Sequence, residues 1–298
     1  MKKNKSLLYL FLFISILFLV SLIYNYFISP KIEPDNIIIS KKGTTVAPFP
    51  PSFVHPLGTD RAGNDIALRL LGGFSYTFIF IFGVTVFRIL IGGLFSYLLV
   101  FPLKRIKKWI QLFFMPFQFV PAFIICLLLM AGMVNFASIE LNKWILLSIQ
   151  FVIIVLIGIP VVMNTLTYEI NHILKNEYIM ASYTLGSNNI RIIFKHIIPV
   201  LKPKLIVLSL QQLSISLILL MHLGVFQFYI GGRQSNSLDD DGKRFLSQSG
   251  EWAGMIGESR YEIRMAPWIF FGSLTVAVIF LIIIHLAVKK YEHENSRA

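Results

Sequence analysis

Residues 176–203 read NEYIMASYTLGSNNIRIIFKHIIPVLKP, a polar and basic interruption between two long apolar runs. Glu177 to Leu185 suits a short helix carrying the small residues Ala181 and Ser182, and Gly186 follows where a left-handed residue can close it. Ser187 is placed to cap a second helix. That helix sets Ile190, Ile193, Phe194 and Ile197 on one face and Asn189, Arg191 and Lys195 on the other, and Pro199 is expected to break it. Two helices jointed at a glycine make a knob. On a membrane surface such a knob, with small residues that admit another backbone, suits transmission of movement to a soluble partner.

The runs on either side are membrane-like. Of 298 residues, 56% are hydrophobic and 14% charged, too apolar for an ordinary soluble domain. Apolar segments at Leu7–Ile28, Phe74–Phe101, Ile110–Val134, Trp144–Leu166, Leu205–Ile230 and Pro267–Val288 predict an all-α integral membrane protein with six spans. No polar and apolar alternation suggests a β-barrel. The first segment is too long for a signal-peptide core and lacks a small-residue cleavage site, so it is expected to remain as a span. The lone Cys126 cannot form an internal disulfide.

Six spans put both termini on one side. That side collects fifteen Lys and Arg against four acids, whereas the other balances eleven against eleven. The basic side is therefore expected to be cytoplasmic, with the 176–203 knob on it and the loops after Ser29 and Gly231 outside. Anionic lipid headgroups account for the net charge of +12 without nucleic acid.

The outer segments have their own patterns. HPLGTDRAGNDIALRLLGG, residues 55–73, reads as an interfacial helix capped by Thr59 or Asp60. Asp60, Asn64 and Asp65 lack the further ligands that calcium needs. In the loop 231–266, Trp252, Met255, Ile256 and Ile263 are expected to dip a turn toward the bilayer, while Asp239–Asp241 reads as a solvated acidic stretch. These divisions give an N-terminal span with its loop and interfacial helix over 1–71, a five-helix core over 72–288 and a cytoplasmic tail over 289–298.

Polar residues within spans are the candidates for a translocation path. Arg88 must face protein or water, since leaving it in lipid costs about 2.5–3.5 kcal/mol on insertion scales. It either makes a structural contact or lines the path. Gln211, Ser214 and His222 share a helical face and suit either a path or a hydrogen-bonded helix seam. His285 is expected to find a partner on a neighbouring helix, and Gly72, Gly73, Gly83, Gly92 and Gly93 to allow close helix packing. No phosphate-binding GxxxxGK[ST], zinc-binding HExxH, GxSxG or CxxC occurs, so neither catalytic residues nor metal ligands nor a cofactor are expected. The spans also lack the interior acids on which ion-coupled transporters commonly rely, which disfavours that class.

The 176–203 stretch resembles the EAA loop of permease subunits of binding-protein-dependent ABC importers, whose pattern is Glu-Ala-Ala, three residues, Gly, and later Ile-x-Leu-Pro. Met180, Ala181, Ser182, Gly186, His196, Ile198 and Pro199 occupy the matching positions, with Met180 replacing the first glutamate. Glu177 and Tyr178, the HPLGTD segment, and the Trp252 to Ala266-Pro267-Trp268 stretch are similar to the dipeptide, oligopeptide and nickel branch. The resemblance implies a type I importer permease whose coupling residues are Glu177, Tyr178, Ala181, Ser182, Leu185 and Gly186. It further implies a second homologous permease, two ABC ATPases and an extracellular substrate-binding protein as partners, besides membrane lipids. Peptides and nickel or metal chelates both remain open as substrates.

Overall fold

A computed structural model describes residues 5–31, 37–40, 43–136, 142–236 and 244–296. Among these, five helices are long and apolar enough to cross a membrane: Ser6–Lys31, Ile66–Val100, Lys143–Ile173, Asn189–Val225 and Pro267–Asn295. We label the elements α1 (Lys5–Ile23), β1 (Ile37–Ser40), β2 (Gly43–Val46), α2 (Ile66–Val100), α3 (Lys107–Phe114), α4 (Pro116–Phe119), α5 (Ala122–Phe136), α6 (Lys143–Ile173), α7 (Glu177–Thr184), α8 (Asn189–Ile192), α9 (Ile198–Val225), β3 (Arg233–Asn236), β4 (Arg244–Ser247), α10 (Trp252–Ser259) and α11 (Pro267–Ser296). The strands form two antiparallel hairpins, β1 with β2 and β3 with β4. Asp239–Asp241 lie outside the described residues.

Several boundaries differ from the sequence reading. The cap of α2 is Asp65, whose carboxylate accepts from the Leu68 amide at 3.1 Å; Thr59 and Asp60 are engaged elsewhere. Thr59 Oγ1 accepts from the Phe49 amide, and Asp60 accepts from the Asn64 amide and from Arg69. From that cap α2 runs unbroken, so the expected interfacial helix and second span are one helix, and position 71–72 falls inside it. The expected third span is divided into α3, α4 and α5, with Pro116 opening α4 and Pro121 preceding α5. Each proline removes an amide and constrains the residue before it, which is why no single helix forms. At the other end α11 carries on from the last span through the expected tail, where Glu294 accepts from Ser6 of α1.

The bundle centres on α2, which packs along α6 and also meets α1, α9 and α11. Gly92 permits the α2–α6 approach, since a Cβ there would stand 2.6 Å from Val162. The short α10 is driven in among α2, α9 and α11, with Trp252, Met255 and Ile256 buried, whereas Ile263 stays exposed beyond its end. Trp252 donates to the Leu70 carbonyl at 2.7 Å, and its ring lies 5.4 Å from Phe74 and 5.6 Å from Phe280. Trp252→Ala should cost about 3–5 kcal/mol through the cavity left among these rings. Thermal melting of the purified protein reads that loss, and Trp252→Phe, which keeps a ring, should recover most of it.

Candidate functional site: the knob and the open face of α9

Residues 176–203 form a two-helix corner projecting from the ends of α6 and α9. α7 closes at Gly186 with φ +83°, where the Gly186 amide donates to Tyr183 O at 2.9 Å and the Ser187 amide to Ser182 O at 3.1 Å. This paired pattern is a Schellman motif, and a left-handed residue is its requirement. The cap of α8 is Asn188, accepting from the Arg191 amide at 2.8 Å, and not Ser187, whose hydroxyl instead accepts from Ser182 Oγ. Tyr183 Oη donates to Asn189 Oδ1 at 3.1 Å, bracing the corner a second time.

Apolar contacts fix the corner to the bundle. Ile179 of α7 and Ile192 of α8 are both 0% exposed and join Leu166, Ile170, Ile173 and Leu201 in a cluster at the ends of α6 and α9. The sequence reading assigned neither Ile179 nor Ile192 a role. It also grouped Ile190 and Phe194 with Ile193 and Ile197, yet Ile190 and Phe194 are exposed while Ile197 is buried. The reason is a π turn at Ile193–Ile197, which shifts the helical phase and carries the chain through Pro199 into α9 without a break. The outward surface of the corner therefore presents Glu177, Tyr178, Met180, Ala181, Leu185, Ile190 and Phe194, with Leu185 86% exposed. Ser182 is half-buried at the corner.

The polar residues of the spans separate into two groups. Arg88 is 1% exposed and lies between α2, α6 and α9, donating to Ile154 O at 2.6 Å, Gln212 Oε1 at 3.2 Å and Ser216 Oγ at 3.1 Å. Gly158 makes room for it, because a Cβ there would overlap the guanidinium. Gln211 and His222 lie on another face of α9, exposed in line with Ile215, Ile218 and Val225. Ser214 is half-buried beside them and its hydroxyl returns to Leu210 O, while His222 stacks on Phe123 of α5 at 5.2 Å. Arg88 is thus not brought together with Gln211, Ser214 and His222. Its acceptors, Gln212 and Ser216, belong to the polar set that marks this span in the sequence, but nothing in the sequence pairs them with Arg88.

At the opposite end of the bundle, ion pairs join the 55–69 segment to the 244–262 segment. Arg69 meets Asp60 at 2.6 Å and Glu258 at 3.2 Å, and Arg61 meets Glu262 at 2.7 Å. Burial pushes the Glu258 carboxyl above its ordinary pKa even though Arg69 and the Ser247 amide draw it down. Among the described residues no group of three or more His, Cys, Asp or Glu is arranged to hold a metal ion.

A sequence model of the family described as "Binding-protein-dependent transport system inner membrane component" matches residues 88–289, about two thirds of the chain. The chain belongs to that family. It is thereby a multi-pass membrane permease component of an ABC importer, a class that works with ATPase and substrate-binding proteins. No curated protein matches the chain. The matched region of this permease contains Arg88, the whole corner and the open face of α9.

Two substitutions separate the roles of the permease's residues. Arg88→Met should strand Gln212 and Ser216 and cost about 1–3 kcal/mol in thermal melting. Gln211→Ala, on the exposed face, should stay within about 0.5 kcal/mol of the parent.

Proposed function

We propose that this permease is the transmembrane subunit of an importer for dipeptides or oligopeptides, with α7 as its coupling helix. What supports the coupling role is the exposed apolar surface of the corner, anchored from behind by Ile179 and Ile192. A cleft in an ATPase would receive Tyr178, Met180, Ala181 and Leu185 on α7 and its C-terminus, and the buried isoleucines would pass its displacement to α6 and α9 as one body. Two ATPases act on two permeases in this reading, one corner apiece.

The second permease covers the open face of α9, so that Gln211, Ser214 and His222 line the path between the two subunits. Arg88 then acts by holding three spans together. The broken segment α3–α5 crosses the membrane as the third span. Gln111 of α3 bonds Asn164 in the half of α6 nearer the corner, whereas Phe123 of α5 lies against His222 in the half of α9 farther from it. Six crossings place both termini and the corner in the cytoplasm, in accord with the surplus of basic residues there. An external binding protein delivers the substrate, and the mechanism is alternating access, driven by closure of the ATPase pair.

Peptide as substrate is supported by the likeness of the HPLGTD and Ala-Pro-Trp segments to the peptide branch. Uptake assays with labelled dipeptides, longer peptides and nickel on the assembled transporter decide it, and nickel uptake with no peptide uptake would refute the peptide reading. For the coupling helix, Gly186→Val should uncouple ATP hydrolysis from uptake. A Cβ at this position would meet nothing within 4 Å, so the defect would come from φ +83° alone. Ala181→Trp should reduce co-purification of the ATPase, and unchanged recovery would remove α7 from that contact. Leu185→Cys should resist membrane-impermeant maleimide in intact cells and react in inverted vesicles.

A further inference from the structure

The segment Val46–Val54, VAPFPPSFV, contains no charged side chain, yet it presents Phe53 at 108% and Val54 at 77% exposure. Two adjacent apolar side chains displayed so fully form a protruding apolar tip. This tip is held outward. Phe49 is buried and its amide bonds Thr59 Oγ1 at 2.8 Å, while the Ser52 amide donates to His55 O at 2.8 Å and the His55 amide to Ser52 Oγ at 3.1 Å. His55 is in turn tied to Asp65, the cap of α2, at 2.8 Å.

The height of the tip follows from its neighbours. Trp268, in the first turn of α11, donates to Thr59 O at 3.4 Å, and a tryptophan at a span terminus marks the headgroup level. Leu57 packs beside Gly272, one helical turn farther along α11. It also roofs an apolar groove of about 270 Å³ between α1, α2 and α11, lined by Phe13, Leu17, Phe74, Phe280 and Ile283 among others. Leu57 therefore sits between the level of Trp268 and an apolar groove among three spans. Phe53 is four residues away, which limits its separation from Leu57 to about 14 Å.

We propose that the Phe53–Val54 tip inserts into the phospholipid leaflet at the outer end of α11, as a third interfacial anchor beside Trp268 and Leu57. The loop would then be fixed to lipid on one side and, through His55 and Asp65, to the start of α2 on the other. This depends on the chain being a membrane protein and not on the peptide reading.

The test uses the full-length permease in phospholipid nanodiscs. Cys126 is fully buried, so Phe53→Cys supplies a selective site for an environment-sensitive fluorophore, with Val54→Cys as a second probe and exposed Gln248→Cys as an aqueous reference. Relative to the Gln248 probe, emission at the tip should be blue-shifted. It should be quenched several-fold more by lipid carrying a doxyl group near the headgroup, and several-fold less by aqueous iodide. Iodide quenching equal to the reference, without doxyl quenching, would overturn the proposal. So would protection that appears only when a binding protein is added, which would assign the tip to a protein surface.

Discussion

Two isoleucines sunk into the ends of α6 and α9 attach the corner to the bundle. Hydrogen bonds at Gly186 and between Tyr183 and Asn189 fix the angle between α7 and α8. They do not fix the corner to the bundle. That attachment comes from Ile179 and Ile192 in the apolar cluster with Leu166, Ile170, Ile173 and Leu201. Burial of one such side chain contributes about 1.5–3 kcal/mol where water would otherwise reach it. Two of them make α7, α8 and both helix ends a single packed unit.

Deeper in the bundle a polar contact ties α9 to its neighbours. Arg88 draws α6 and α9 onto α2 through Ile154, Gln212 and Ser216, and all of its acceptors in these bonds are neutral. Away from water the attraction is strong and directional, and the alternative for each partner is an unsatisfied polar group. The triad therefore specifies which faces of α2, α6 and α9 meet. By occupying the Gln212 and Ser216 side of α9, it leaves Gln211, Ile215, Ile218 and His222 on the uncovered side.

Much of this was legible in the sequence, and the failures have local causes. Of the six spans that length and hydropathy predict, five are long single helices among the described residues, and the glycine closing α7 could be read because a left-handed helix end has few other solutions. Hydrophobic phase could not be read across Ile193–Ile197, since periodicity arguments assume a constant 3.6 residues per turn. Choosing Asp65 over Thr59 or Asp60 as a cap required knowing that Phe49 and Arg69 had already claimed the other two. The same holds for Arg88, where a single helix face cannot reveal which of several polar neighbours is turned inward.

The two π turns share an arrangement that bears on how α9 behaves. Tyr24–Ile28 precedes Pro30 by two residues, and Ile193–Ile197 precedes Pro199 by the same interval. A proline inside a helix leaves the carbonyl four residues earlier without its amide partner. A wider turn ahead of the proline moves the ladder to a five-residue step, as in the Ile198 amide bonding Ile193 O, and so carries the helix past the gap. At Pro30 this occurs at a helix end, with little at stake mechanically. At Pro199 it lies between the corner and the whole length of α9. A broken helix there would leave the corner and α9 free to change angle at the break, whereas the continuous one holds them in a single helical run.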